Sequence, residues 1–132
     1  MKQFFYPLFF ALTTIASMAT AAEPVKEVSV SEVQQYVSAK TPNVVIVDAN
    51  NDEARKDAGV VPSAILLTSY NQYAINELPA DKATTLVFYC YNSYCQASHA
   101  AALRAIGAGY KDARVMKAGI VGWNKLSEKN KI

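Results

Sequence analysis

Thr84-Thr85-Leu86-Val87-Phe88-Tyr89-Cys90-Tyr91-Asn92-Ser93-Tyr94-Cys95-Gln96-Ala97-Ser98-His99 decides how this chain is read. Its first half is a continuous apolar run that fits a strand buried on both faces. The run stops at Cys90. A short polar loop follows, and then a helix-forming segment begins. Both cysteines of the chain and its only histidine lie in this stretch. A thiol between a strand and a helix N-terminus sits where free backbone N–H groups and the helix dipole favour negative charge. Both favour thiolate over thiol.

Downstream, Ala97 to Ile106 is rich in alanine and reads as a helix that packs closely on a sheet, with Gly107 and Gly109 as its stop. Ala113-Arg114-Val115-Met116 reads as a last short strand, and Ile120 to Lys129 as a final helix in which Trp123 is a packing residue. Upstream, Val44-Val45-Ile46-Val47 is a second strand apolar on both faces, closed by Asp48. Ala64 to Leu67 reads as another buried strand, Asn71 to Leu78 as a helix stopped by Pro79, and Asp52 to Lys56 as a solvated helical face. Val28 to Val30 reads as a short edge strand. Ser31 is expected to cap the helix after it, with Gln34 three residues on as in a capping box, and Pro42 beyond its end. Strands alternating with helices over so short a chain predict one α/β domain with a mostly parallel sheet. In such sheets ligands sit beyond the carboxyl ends of the strands, where Cys90 and Asp48 both fall.

The N-terminal part reads differently. Lys2 is followed by an apolar run from Phe4 to Met18 and then by Ala19-Thr20-Ala21-Ala22. This has the plan of a signal peptide, with cleavage after Ala21 or Ala22. The alternative is an uncleaved anchor, which Pro7 and the hydroxyls of Thr13, Thr14 and Ser17 disfavour. The expected organisation is therefore a signal peptide over 1–22 and one domain over 23–132, in a periplasmic or secreted protein that leaves the membrane once cleaved. The formal charge is +2, and loss of Lys2 leaves it near +1. Lys and Arg are scattered among acids, without a basic run or aromatic platform, so nucleic acid is not an expected partner. In an oxidising compartment two cysteines read either as one disulfide or as a working pair kept reduced by a partner.

Val28 to Lys129 resembles a single rhodanese-like domain. Val45-Ile46-Val47-Asp48 resembles the early strand of that family. Gly59-Val60-Val61-Pro62-Ser63-Ala64 is similar to its G-H-I-P-G-A turn. Leu86 to Cys90 resembles the strand that delivers the catalytic cysteine, Leu103 to Tyr110 the helix ending L-x-x-x-G-[FY], and Ala118-Gly119-Ile120-Val121-Gly122-Trp123 the terminal G-G-I-x-x-W. The resemblance implies a central, mostly parallel five-stranded sheet with helices on both faces. It also implies sulfur transfer without a cofactor or metal. Cys90 would attack a small sulfane sulfur donor and become a persulfide, and a thiol acceptor (a small thiol, a protein thiol or a periplasmic reductant) would take the outer sulfur. The backbone of Tyr91, Asn92, Ser93, Tyr94 and Gln96 would cradle the persulfide, with Asp48 and His99 nearby. The family's loop is C-x-x-G-x-R-[ST]. Here Ser93 stands at the Gly position and Cys95 at the Arg position, which removes a fixed charge and argues against thiosulfate–cyanide transfer. The C-x4-C loop resembles a subgroup of secreted members.

Bland readings stand beside these. Cys90 is either this nucleophile or a core cysteine. Cys95 is either a resolving thiol that closes a disulfide with Cys90 or an incidental cysteine. Asp48 orients the loop or caps its strand. Tyr91 and Tyr94 line a mouth or are plain surface aromatics. His99 shares a helix face with Cys95, but a metal site of Cys90, Cys95 and His99 lacks a fourth ligand. Ser98 reads as first-turn helix chemistry. Alongside sulfur transfer stand a thiol–disulfide redox protein using Cys90 and Cys95, and a non-catalytic binding module.

Overall fold

The computed structural model describes Ala16 and residues 25–131. The signal-peptide reading of 1–22 lies outside the described residues. Ten elements follow in order: β1 (Lys26–Glu27), α1 (Val30–Ser38), β2 (Val44–Asp48), α2 (Asp52–Ala58), β3 (Ile65–Leu66), a 3-10 turn (Ile75–Glu77), β4 (Thr85–Tyr89), α3 (Ala97–Gly107), β5 (Asp112–Val115) and α4 (Gly119–Lys129). The strands form one five-stranded sheet in the order β1-β5-β4-β2-β3. Every pairing is parallel.

The two apolar runs of the sequence form the adjacent central strands β2 and β4, paired along their whole length from Val44–Thr85 to Asp48–Tyr89. Side chains alternate across the sheet. Leu86 and Phe88 of β4 face one core, with Val47 of β2. Val87 and Tyr89 face the other, with Ile46. On the first side lies α3, whose Ala101, Ala102 and Ala105 are all fully buried. Methyl side chains let its backbone come close enough for the Tyr73 hydroxyl to donate to the Ala101 carbonyl at 2.8 Å. On the second side lie α1 through Val33 and α4 through Ile120, with Ala58 of α2 and Trp123 packed at their margins. An α/β fold with helices on both faces is thus what the sequence predicts.

Five expectations shift. The edge strand is Lys26–Glu27, not Val28–Val30, and the cap of α1 is Ser29, not Ser31. Glu32 decides this, because its carboxylate accepts from the Ser29 N–H at 3.0 Å while Ser29 Oγ accepts from the Glu32 N–H at 3.2 Å. Gln34 turns instead to Ser127. The helix expected over Asn71–Leu78 shrinks to the 3-10 turn, since the Glu77 carboxylate pulls the chain back onto Thr68 and Ala74. Ala64–Leu67 narrows to two paired residues at the sheet edge, leaving Leu66 exposed and Leu67 buried. Finally, α2 is not solvated all round. Arg55 turns inward to donate to the carbonyls of Asp48 and Leu67, at 3.2 and 2.9 Å, and so ties β2 to the chain after β3. Among the described residues no helix is long and apolar enough to cross a membrane.

Candidate active site

β4 ends at Tyr89, and Cys90 follows at the carboxyl edge of the sheet, 2% exposed. The chain then turns back on itself through Asn92. Its side chain accepts from the Tyr94 N–H at 3.1 Å, and its carbonyl from the Cys95 N–H, also at 3.1 Å. This turn returns Cys95 to Cys90, with their Cα atoms 6.3 Å apart and a disulfide between them. Such a spacing is ordinary for a disulfide. The structure therefore holds the pair in its bonded form.

Helices hold the loop from two sides. The N-terminus of α4 grips its backbone: the N–H groups of Ile120 and Val121 donate to the carbonyls of Cys90 and Tyr91 at 2.9 and 3.0 Å. Contact is so close that a Cβ on Gly119 would lie 2.5 Å from the Tyr91 oxygen, and the φ of Gly119 is +64°. Only glycine meets both demands without strain. The N-terminus of α3 lies on the sulfur side. Its Ser98 is 2% exposed, and Ser98 Oγ is 3.3 Å from Cys90 Sγ. A disulfide sulfur carries no proton, so the hydroxyl is the donor. Like any helix start, α3 also leaves first-turn N–H groups free. This sulfur therefore sits beside a hydroxyl at a helix start, a setting that favours a thiolate.

The other residues expected at the site divide. Cys95 is half-buried, and with Gln96, His99 and Ser98 it lines a cleft of about 300 Å³ closed by Val25, Glu27, Val115 and Lys117. The cleft lies at the carboxyl ends of β1 and β5. Lys117 Nζ and Glu27 Oε1 face each other there at 3.7 Å. Tyr94 is 88% exposed and forms no wall. Tyr91 donates its hydroxyl to Asp57 Oδ2 at 2.7 Å, pinning the loop to α2; that carboxylate raises the phenol above its usual pKa. In this state the Tyr94 and Cys95 N–H groups, expected in a backbone cradle around Cys90, close the turn onto Asn92 instead. Among the described residues no three His, Cys, Asp or Glu side chains converge as metal ligands.

Asp48 makes strand-end contacts. Its carboxylate is fully buried and accepts from the Asn50 N–H at 2.7 Å, from Arg55 Nε at 3.3 Å and from the Tyr89 hydroxyl. The Tyr89 hydroxyl in turn accepts from the Val61 N–H at 3.0 Å. Burial, and then the bond to Asp48, push the Tyr89 phenol far above its usual range. Asp48 thus fixes the strand end from which Cys90 emerges, through Tyr89. Three contributors escape sequence reasoning. Arg55 looks like one charge among several on a polar helix, and its only signal is its place just past a strand-end acid. Ser98, by contrast, reads from the sequence as first-turn helix chemistry and lies in the first turn of α3. Glu27 and Lys117 become neighbours only through the β1–β5 pairing.

The family described as rhodanese-like domain matches residues 29–126. No curated protein matches the chain. Solved structures do. A protein from Bacillus halodurans is similar at 20% identity with a TM-score of 0.69, over 77% of this chain and 73% of that one. An uncharacterised protein from Saccharomyces cerevisiae is similar at 19% with a TM-score of 0.62, over 82% and 98%. The rhodanese-like domain of an Anabaena protein is similar at 15% with a TM-score of 0.59, over 80% and 76%. At these identities the likeness is one of fold.

Proposed function

This chain belongs to the rhodanese-like domain family, and from that premise we propose that it is a sulfane-sulfur transferase with its own resolving thiol. The observation that carries the reading is the Cys90–Cys95 pair, with the strand-end sulfur bonded to the residue that stands where the family loop has arginine. In the reduced protein, Cys90 thiolate attacks the outer sulfur of a donor R–S–S⁻. A Cys90 persulfide forms and R–S⁻ departs. An external thiol acceptor can take the outer sulfur. Cys95 thiolate offers an internal route: it attacks the inner sulfur of the persulfide, the Cys90–Cys95 bond forms, and hydrosulfide leaves with the electron pair. Two thiols then reduce the disulfide and restore the start. Ser98 and the first turn of α3 stabilise Cys90 as the attacking thiolate and again as the leaving group.

The missing loop arginine argues that thiosulfate with cyanide is a poor substrate pair, because no fixed cation holds the dianion. Organic persulfides R–S–S⁻, which carry one negative charge at the reacting group, suit the site better. The sequence of Met1 to Ala22 supports export and work in the periplasm or outside the cell, where a reducing partner must regenerate the dithiol. N-terminal sequencing of the mature protein tests export, with Ala22 or Glu23 expected as first residue. Treating the reduced protein with polysulfide tests the chemistry. One hydrosulfide released for each disulfide closed supports it, and no reaction of Cys90 refutes it.

A second reading, a plain thiol–disulfide redox protein, draws on the burial of Cys90 behind Cys95. It predicts disulfide exchange with thiols but no sulfur uptake on Cys90.

A further inference from the structure

We propose that the Cys90–Cys95 disulfide is opened at Cys95, by a small zwitterionic thiol that enters the cleft between His99 and Lys117. This rests on the reading above, in which the disulfide is the product that must be reduced before another transfer. The two sulfurs differ in access. Cys90 is 2% exposed and faces Ser98. Cys95 is half-buried and forms part of the cleft wall. A thiolate can displace only the sulfur it reaches, so Cys95 receives the attack.

The products favour the same direction. The entering thiolate bonds to Cys95 Sγ, the Cys95–Cys90 bond breaks, and the electron pair leaves on Cys90. Cys90 is the sulfur with a hydroxyl donor at 3.3 Å and the helix N-terminus beside it, and a stabilised thiolate leaves faster. A second thiolate then attacks the sulfur of the bound small molecule. That step releases its disulfide and leaves Cys95 as thiolate. Two thiols have become one disulfide, and the protein has gained two electrons.

The cleft also selects. Its volume of about 300 Å³ is at the small end of ligand sites. Glu27 and Lys117, both more than half exposed and 3.7 Å apart, give up little when they exchange each other for a ligand's ammonium and carboxylate. His99 adds a donor on the α3 side. Two opposite charges beside a reducible sulfur match a thiol that carries both an amino group and a carboxylate. Glutathione is a convenient probe, and 2-mercaptoethanol is its uncharged control.

The test uses the full-length oxidised protein. Its intact mass is taken before and after reductant. It is then mixed briefly with glutathione, quenched with acid and digested with trypsin. The peptide 83–104, which holds both cysteines, is fragmented to locate the adduct. Glutathione on Cys95 with Cys90 free is the expected result. Glutathione on Cys90 overturns this proposal alone. A reduced protein that closes no Cys90–Cys95 disulfide when treated with an oxidant or polysulfide overturns the resolving-thiol reading and this proposal with it. Lys117→Gln, a change at an exposed position, is expected to slow reduction by glutathione about threefold and leave reduction by 2-mercaptoethanol unchanged. An equal effect on both reagents overturns entry through the cleft.

Discussion

At the scale of single residues, the proposed chemistry of Cys90 draws on what lies behind it. Ser98→Ala removes the hydroxyl that donates to Cys90 Sγ. A hydrogen bond to a charged group contributes about 1.5 kcal/mol, so alkylation of the reduced protein at neutral pH is expected to slow about tenfold and its pH profile to move upward. An unchanged profile would remove Ser98 from the mechanism. Tyr89→Phe deletes the hydroxyl that joins Asp48 to the Val61 N–H, leaving a buried carboxylate with one donor fewer. The expected loss is about 2 kcal/mol, read as a lower urea midpoint at constant slope. Much of this scale was legible in the sequence. Cys90 and Cys95 stand out because thiol chemistry needs a strand end and a nearby second sulfur, and the sequence supplies both. The support of Asp48 by Arg55 was not legible, because it depends on a side chain folding inward from a helix whose composition reads as solvent-facing.

At the scale of elements, the loop is held by α4 as much as by the strand before it. Gly119→Ala would force a Cβ into the carbonyls of Cys90 and Tyr91 at a backbone angle that alanine resists. A cost of about 2 kcal/mol is expected, as lower thermal stability, with faster reduction of the disulfide because its loop is freed. Stability lost without any change in the reduction rate would show that α4 supports the fold but not the loop. The elements most legible in the sequence were β2, β4, α3 and α4, since continuous apolar runs and an alanine-rich segment leave little choice of environment. The least legible were β1, β3 and the 3-10 turn. Each is only two or three residues long and is set by partners far along the chain: β1 by its pairing with β5, and the 3-10 turn by Glu77 reaching Thr68.

At the scale of the whole molecule, five parallel strands bring the ends of β1, β4 and β5 to one edge, where the cysteine loop meets the cleft. At the opposite end, the start of β4 is tied to the start of β5 by the Thr85 hydroxyl, which donates to Asp112 at 3.0 Å. Arg114, on the same strand as Asp112, also donates to it, and that bond holds the Asp112 carboxyl below its usual pKa. A lowered carboxylate contributes stability above its unfolded value of 3.8 and loses it as the pH falls through the lower folded value. Asp112→Asn should therefore cost about 1 kcal/mol at neutral pH and flatten the acid limb of the stability profile. An acid limb identical to wild type would contradict that link.

In the proposed function Cys90 accepts sulfane sulfur and Cys95 resolves it. Both steps are tested together by the intact mass of wild-type and Cys95→Ser proteins, each reduced and then given one equivalent of polysulfide. The expected result is that Cys95→Ser gains one sulfur atom on Cys90 and keeps it, whereas the wild type loses two hydrogens and releases one hydrosulfide. A stable added sulfur on the wild type, or none on Cys95→Ser, would contradict it.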